Sequence, residues 1–276
     1  MNAPVLQLVS LTEYAAPAIA VTAAYHAAVG RHSHDCYELV YVQGGFCLHD
    51  VDDQMALLTE GDVFLMRPGQ THRYLGNHAV SIFNCLFAPD QLPQSLGVLG
   101  ENRGIAPHIH LSLSERKDTV RLLGDMLEEI TARRVHWELK LSALLHCMLV
   151  EYARLLEVRA GPDGQSAAFI GFVQPVLQYI DRNFARDLSI RHLAGVAGVS
   201  ADYLTRQFRQ TTGITPSEYL RRYRLARAME LLGRGQRVSD AAERVGFMSL
   251  AHFSREFKKE LGMTPTGYRR QALHDR

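Results

Sequence analysis

The sequence lacks the features that mark secreted, membrane-spanning and disulfide-stabilised proteins. Its four cysteines form no C-x-x-C pair and suggest no disulfide framework. No apolar run approaches the ~18 residues that a membrane-spanning helix needs. The N-terminal residues show no basic stretch followed by a long apolar segment, so they are unlike a signal peptide. These absences predict a soluble protein of the reduced cytoplasm.

Catalytic signatures are missing as well. The sequence contains no P-loop, no G-x-G-x-x-G fingerprint and no serine-nucleophile elbow. We therefore predict a protein that is not an enzyme. Its 276 residues, 47% hydrophobic and 21% charged, are enough for two globular domains with apolar cores.

Net charge is small, at +1, but it is unevenly distributed. Residues 168–276 carry 18 Lys and Arg against 10 Asp and Glu, whereas residues 1–167 carry 12 against 19. Most of the basic residues are arginines, which suit phosphates and base edges. The distribution predicts a nucleic-acid-binding half joined to a half that avoids phosphates. A merely solvated basic surface would give the same counts.

Residues from about 15 to 90 are typical of short strands. Segments such as 38–42 and 62–66 (ELVYV and DVFLM) are separated by clusters of Gly and Asp, which predicts a small sandwich or barrel. After Leu111 the pattern becomes helical, and Ser112 is a candidate N-cap. Two apolar stripes at helical spacing follow: Leu122, Leu123, Met126, Leu127 and Ile130, then Leu141, Leu144, Leu145, Met148, Leu149, Tyr152 and Leu155.

These two helices leave two interpretations open. Both stripes can pack on the barrel of their own chain, or part of the first stripe can form the seam of a homodimer. The polar, Gly/Pro-rich segment 159–167 follows them, where the charge changes sign, and it is the best linker candidate. We therefore expect one domain over 1–158, a linker over 159–167 and a second domain over 168–276.

The basic half contains an internal repeat. Gly198 matches Gly246, Ser200 matches Ser249 after a one-residue change in the turn, and the run GITP (213–216) recurs as GMTP (262–265). Each copy predicts a short helix (190–197 or 238–245), a turn with Gly, and a Ser-capped second helix. The second helices each present an apolar back and a polar, mostly basic front, with the backs formed by Leu204 and Phe208, and by Phe253 and Phe257.

This is the layout of a helix-turn-helix unit, and two copies joined by a helical stretch from Pro216 to Leu232 argue against a generic helical bundle. Residues 172–270 resemble the AraC/XylS family of transcription regulators. The match is most specific in G-F-x-S…F-x-R-x-F-K-x-x-x-G-x-T-P-x-x-Y-R. The resemblance implies two helix-turn-helix subdomains whose recognition helices enter successive major grooves, about 34 Å apart.

In that family the base-reading side chains lie early on each recognition helix. The resemblance therefore assigns base contacts to Asp202, Thr205 and Arg206 in the first copy and to Leu250, Ala251, His252 and Arg255 in the second. The basic face of each helix adds Arg209 and Lys258 as further candidate DNA contacts. Arg206 and Arg255 can read guanine, and Leu250 and Ala251 offer only apolar contact, for instance to a thymine methyl. Asp202 can accept from a cytosine amino group, but we favour a role in capping the helix.

The acidic half carries a second constellation, H-x-H-x-x-x-E at His32, His34 and Glu38. Residues two apart on a strand share a face, so these three, with Cys36, are expected to point the same way. Together with a later Gly-Asp…His72 segment they resemble the two cupin motifs, in which three His and one Glu hold a divalent metal inside a small barrel. Arg67 and Gly76 depart from the second motif, whose closing Asn falls one residue late at Asn77.

The occupant of this site stays open. Imidazole and carboxylate suit Fe, Mn, Ni or Zn, so a divalent transition metal is one candidate, although none is required. The other candidates are a metal-free effector pocket, which AraC-type sensor domains commonly have, and a vestigial cluster. The segments HSHDCYEL and FLMRPGQTHRY also resemble the sensor domains of rhamnose-type regulators, which favours a carbohydrate effector.

The sequence thus predicts an α+β protein of two domains. The first is a cupin-like β-barrel with dimerisation helices that binds an effector, and the second is an all-α double helix-turn-helix domain. We expect a cytoplasmic homodimer that regulates transcription from double-stranded DNA, contacting RNA polymerase if it is an activator. The alternatives are a cupin metalloenzyme with a DNA-binding appendage and a DNA-binding protein with an inert sensor.

Overall fold

The computed structural model describes residues 5–6, 18–25, 30–75, 80–99, 109–160 and 173–274. The described strands are β1 Val5–Leu6, β2 Ile19–Tyr25, β3 Ser33–His34, β4 Tyr37–Gly44, β5 Phe46–Val51, β6 Gln54–Thr59, β7 Asp62–Met66, β8 His72–Leu75, β9 Ser81–Phe87 and β10 Ile109–His110. The described α-helices are α1 Leu113–Ala132, α2 Trp137–Ala160, α3 Gln174–Asn183, α4 Ile190–Ala197, α5 Ala201–Thr212, α6 Pro216–Gly233, α7 Val238–Arg244, α8 Leu250–Leu261 and α9 Pro265–His274. No helix in these ranges combines the length and apolarity needed to cross a bilayer.

Two antiparallel sheets form the body of the N-terminal unit. One has five strands in the order β10-β7-β4-β9-β2, and the other has three in the order β6-β5-β8. Side chains alternate across each strand, so one face of each sheet lines a shared apolar interior. That interior holds Val40, Val42, Cys47, Val51, Leu58, Phe64, Met66, Tyr74, Val80 and Ile82. The predicted strand-rich barrel is confirmed.

Helices α1 and α2 cover the outer face of the five-stranded sheet. The Ser112 hydroxyl accepts from the Glu115 N–H, and the Glu115 carboxylate accepts from the Ser112 N–H, which completes a capping box at the start of α1. Leu122, Leu123 and Met126 are buried against the sheet, which favours packing on the chain's own barrel for the core of this stripe. Helix α2 continues to Ala160. The first two residues of the predicted linker 159–167 are therefore helical, and residues 161–167 lie outside the described ranges.

The C-terminal unit has the predicted repeat. Helix α4 ends at Gly198 in the left-handed conformation, and Gly246 also has a positive φ, of 85°, which glycine adopts without steric strain. Ser200 and Ser249 cap α5 and α8 by accepting hydrogen bonds from backbone N–H groups. The apolar backs of both helices, Leu204 with Phe208 and Phe253 with Phe257, are fully buried. The double helix-turn-helix architecture is confirmed.

Helix α6 joins the two copies and is tied to α8 by ion pairs. Arg221 lies 2.7 Å from Glu260 and 3.5 Å from Glu256, and Arg222 lies 3.3 Å from Glu260. The carboxylates are largely shielded from solvent, so these pairs are screened less than fully exposed ones. Together they fix the second recognition helix relative to the connecting helix.

The two units are in direct contact. The outer face of the three-stranded sheet, with Leu48 and Leu57, belongs to the same apolar core as helix α6. The Leu57 N–H donates to the buried Tyr219 hydroxyl at 3.0 Å. Gly213 lies so close to His110 that a β-carbon built on it would be 1.9 Å from the imidazole Nε2. The C-terminal unit is thus packed against the sheet that closes the barrel.

Candidate functional site

The four residues predicted from the cupin-like motifs converge inside the barrel. His32, His34, His72 and Glu38 are all buried, and one nitrogen from each of the three imidazoles lies within 4.8 Å of the others. Four ionisable side chains in an apolar interior are stable only if they satisfy one another or a bound group. The structure therefore brings the predicted residues together, while their functional role stays a prediction.

Backbone pairing positions the histidines. His32 and His72 exchange backbone hydrogen bonds of 3.0 and 2.8 Å, which places the end of the loop before β3 beside the start of β8. The first motif is not one continuous strand, because the chain bends at Asp35 and Cys36 between β3 and β4. Cys36 consequently packs against Ala20 and Leu86 and not within the histidine cluster. Gly76 and Asn77 lie outside the described ranges.

The polar atoms of the cluster are closely spaced. His34 Nε2 lies 3.1 Å from His72 Nε2, and Glu38 Oε2 lies 3.5 Å from the former and 3.4 Å from the latter. Burial of Glu38 raises its pKa, but the neighbouring His34 and His72 and a hydrogen bond from Asn84 outweigh burial and lower the pKa to about 2. Burial lowers the pKa of His32, so its neutral form is favoured. The cluster combines a carboxylate with at least one neutral imidazole near neutral pH.

Sequence reasoning missed two residues that hold this cluster. His49 on β5 contacts His72 Nδ1 through its Nε2 at 3.0 Å, and Asn84 on β9 donates to Glu38 Oε1 at 2.6 Å. Neither belongs to a recognisable motif. The available signal was strand alternation: His49 shares the parity of the inward-facing Cys47 and Val51, and Asn84 that of Ile82.

The predicted DNA-contact residues of the first copy lie on α5. Asp202, Arg206 and Arg209 are exposed, on the side opposite the buried Leu204 and Phe208. Thr205 is half-buried, and its hydroxyl donates to the Ala201 carbonyl at 2.8 Å, so that proton is used within the helix. The Arg206 guanidinium lies 5.3 Å from the centroid of the Tyr203 ring, a cation–π distance. Tyr203 was not predicted from the sequence.

The predicted residues of the second copy share one exposed face of α8. Leu250, Ala251, His252, Arg255 and Lys258 are all exposed, while the opposite side is buried. His252 is 3.8 Å from Glu256 one turn further along. The two second helices therefore present solvent-exposed residues, several of them basic, which suits an approach to DNA.

Two protein-family models match separate parts of the chain. Residues 17–149 match the model described as an AraC-like ligand binding domain, and residues 193–271 match a helix-turn-helix domain. The HTH-type transcriptional activator RhaR of Enterobacter sp. (strain 638) is 30% identical over 267 residues, which are 94% of this chain and 93% of that protein. The chain belongs to the AraC family of transcription regulators. It is a DNA-binding regulator with a ligand-binding domain, and its relatives are regulators and not enzymes.

Further relatives show the same relationship. RhaR of Shigella dysenteriae serotype 1 (strain Sd197) is 28% identical over 262 residues, 91% of each chain. Among solved structures, a probable AraC family transcriptional regulator from Rhodopseudomonas palustris CGA009 is 31% identical, with a TM-score of 0.34, over 36% of this chain and 95% of its own. The DNA-binding domain of AdpA, solved with a target DNA, is 27% identical, with a TM-score of 0.37, over 38% of this chain and 96% of its own.

Proposed function

We propose that this AraC family regulator reads DNA with the exposed faces of α5 and α8 and changes its DNA affinity when a small molecule binds at the histidine cluster. The main support is that neighbouring side chains of strand β5 point to opposite faces of its sheet. His49 on β5 contacts His72 inside the barrel, while the preceding Leu48 lies in the core shared with α6. One strand therefore connects the cluster to the DNA-binding unit, which supports a responsive sensor over an inert one.

The chemistry of the recognition helices supports a division of roles. Arg206 and Arg255 have the planar fork that binds the O6 and N7 atoms of guanine. Leu250 and Ala251 offer apolar contact, and His252 offers one donor or acceptor. Thr205 can offer its methyl group to a base edge, because its hydroxyl donates to the Ala201 carbonyl. We assign Arg209 and Lys258 to DNA phosphates and Asp202, an early-turn carboxylate, to stabilising the N-terminus of α5.

Arg255→Ala tests the DNA half of the proposal. It should weaken binding to DNA recovered from a random library by about 1–3 kcal/mol and relax the preference at one base position. Lys259→Ala is the matched control, because Lys259 is an exposed cation further along the same helix. Uniform weakening across all sequences by Arg255→Ala would make Arg255 a phosphate contact and would contradict its assigned role.

A hydroxyl-rich molecule of the carbohydrate class is the effector that we propose. His34 Nδ1 is buried and has no hydrogen-bond partner among the described residues, although buried polar atoms ordinarily have one. Glu38 Oε2 is buried as well, and its contacts to the imidazoles of His72 and His34 are long, at 3.4 and 3.5 Å. Glu38 can accept from a hydroxyl, and an imidazole can donate to one or accept from one. Such a ligand would satisfy these atoms without requiring a metal.

A divalent transition metal is the second candidate, because the spacing of the donors fits one. Neighbouring ligand atoms of a tetrahedral zinc site are about 3.3 Å apart, given metal–ligand distances of about 2.0–2.1 Å. The atoms of His34, His72 and Glu38 are separated by 3.1, 3.4 and 3.5 Å. His32 Nδ1 is engaged by the Gly30 carbonyl at 2.8 Å, which leaves Nε2 as the available donor. A stoichiometric bound metal together with catalytic turnover of a substrate would favour the alternative that the protein is a cupin metalloenzyme.

We propose further that the regulator acts as a cytoplasmic homodimer that contacts RNA polymerase where it activates transcription. Leu113 and Val120 on α1 are 78% and 50% exposed and lie seven residues apart, close to two helical turns. In the proposed dimer, a second copy of the chain covers these two exposed side chains. A fragment covering 168–276 would then bind DNA more weakly than the full chain, because dimerisation makes the second contact intramolecular.

The effector half is tested with the full chain. A thermal-shift screen of aldohexoses, deoxyhexoses and divalent metal salts identifies a stabilising compound, and DNA affinity is then measured with and without it. His72→Ala and the near-isosteric Glu38→Gln should abolish both the thermal shift and the change in DNA affinity, while binding to DNA without the compound persists. His146→Ala is the control, because His146 contacts the Gln91 carbonyl outside the barrel. An unchanged response in both cluster variants would place the ligand elsewhere.

Elemental analysis of protein purified without chelator then distinguishes a bound metal from an organic ligand.

A further inference from the structure

The two turns of the repeat differ by one residue, and the difference changes what each turn exposes. In the first copy Gly198 and Val199 lead to the N-cap Ser200, whereas in the second copy Gly246 is followed by Phe247 and Met248 before the N-cap Ser249. Val199 is half-buried and packs against the apolar core. The extra residue means that two side chains compete for the equivalent place in the second copy.

Phe247 occupies that place. It is buried, and its ring lies 5.1 Å from the ring of Phe253 and 5.6 Å from that of His252, centroid to centroid. Met248 is left outside and is 97% exposed. A single exposed apolar residue is common on protein surfaces, so the exposure alone carries no function. The position of Met248 at the N-terminal end of α8 is what suggests a function.

Met248 stands immediately before the N-cap of the second recognition helix. Leu250, the first residue of α8, is 49% exposed, so the two apolar side chains flank Ser249 at the tip of the helix. His252 and Arg255 lie on the exposed face of the same helix. In helix-turn-helix proteins the N-terminal residues of the recognition helix meet the base edges in the major groove. The tip therefore presents uncharged, flexible apolar surface where base edges are read.

We infer that Met248 is a specificity-determining residue that contacts the C5-methyl group of a thymine in the operator, together with Leu250. Thymine is the only base that offers an apolar group in the major groove, and the unbranched methionine side chain adapts to irregular apolar surfaces. This inference rests on the proposed DNA-binding role of α8. The side chains of Met248 and Leu250 form no ion pair or hydrogen bond with phosphate, so we expect them to act on sequence preference and not on the general attraction to DNA.

Replacement of thymine by deoxyuridine tests the contact, because it removes the methyl group and keeps every hydrogen-bonding atom. DNA recovered from a random library by the full chain is substituted one thymine at a time, and affinity is measured by fluorescence anisotropy. For the wild-type protein, one or two substitutions in the segment read by Arg255 should weaken binding about four- to tenfold, the loss expected for one buried methyl-sized group. Met248→Ala should weaken binding to thymine DNA similarly and become insensitive to those substitutions.

Met263→Ala is the matched control, because Met263 is a partly exposed methionine just beyond the other end of α8, and it should behave as the wild type. Met248→Ala that keeps the wild-type response to deoxyuridine would overturn the inference. So would a wild-type protein indifferent to every thymine methyl, or a variant that loses only transcriptional activation, which would make the tip a protein contact. Failure of the proposed function itself is distinct: no DNA sequence would be recovered, or Arg255→Ala would leave base preference unchanged.

Discussion

The contact between the sensor and DNA-binding units makes a prediction that two glycines of the repeat can test. Gly213 and Gly262 occupy matching positions at the ends of α5 and α8, with φ angles of 76° and 72°. An alanine at either position is strained by the left-handed backbone, at about 1–2 kcal/mol. A β-carbon on Gly262 would meet nothing within 4 Å, whereas one on Gly213 would overlap the imidazole of His110.

Displacing His110 breaks two further contacts. Its Nδ1 lies 2.8 Å from Asp62, and its Nε2 lies 3.0 Å from Arg116. At about 0.5–1.5 kcal/mol for each hydrogen bond, Gly213→Ala should lower the free energy of unfolding by about 1–3 kcal/mol more than Gly262→Ala.

Urea unfolding followed by far-UV circular dichroism measures both losses. In a His110→Ala background, Gly213→Ala and Gly262→Ala should become equivalent, because the clash and the broken contacts are already gone. Equal losses for the two glycine variants in the wild-type background would refute the reasoning, since they would mean that the two units do not touch at Gly213 in solution.

Three other predictions concern the barrel and its helices. Ser112→Ala removes the cap of α1 and should lower the free energy of unfolding by about 1 kcal/mol, measured through the fluorescence of the single tryptophan, Trp137; an unchanged value would contradict the cap. Burial lowers the pKa of His32 below its ordinary value of 6.5. As pH falls, His32 is therefore protonated at a higher pH in the unfolded chain than in the folded chain. Stability should therefore fall as pH drops below 6.5, and His32→Gln should reduce that slope. The pKa of Glu38 is lowered from 4.5 to about 2. A second loss of folding stability should therefore appear as pH falls from 4.5 to about 2, and it should be absent in Glu38→Gln.

The C-terminal unit could be predicted closely because its signals are local. A capping serine, a glycine in the turn and an apolar pair four residues apart each determine the conformation of only a few neighbouring residues. Each of these signals occurs in both copies of the repeat. Helix α4 has the predicted bounds, and α7 ends one residue earlier than predicted, at Arg244. What the sequence could not show was the consequence of the extra residue in the second turn, because which of Phe247 and Met248 enters the core depends on tertiary packing.

The barrel site was predicted only in part because its members come from distant strands. His32, His34 and Glu38 lie within one short segment and form a motif, and His72 follows at a recognisable spacing. His49 and Asn84 enter the cluster through the pairing of β5 with β8 and of β4 with β9, which no local pattern encodes. The docking of α6 on the three-stranded sheet is likewise a long-range contact, joining Leu57 to Tyr219.

The central claim, that two recognition helices of one chain read two successive major grooves, is tested most directly by footprinting. Hydroxyl-radical footprints of the full chain are compared with those of Arg206→Ala and Arg255→Ala on DNA recovered from a random library. We expect protected segments about one helical turn, or about 10–10.5 base pairs, apart for each chain, with each variant weakening protection in a different segment. Loss of protection in the same segment by both variants, or in neither, would contradict the account.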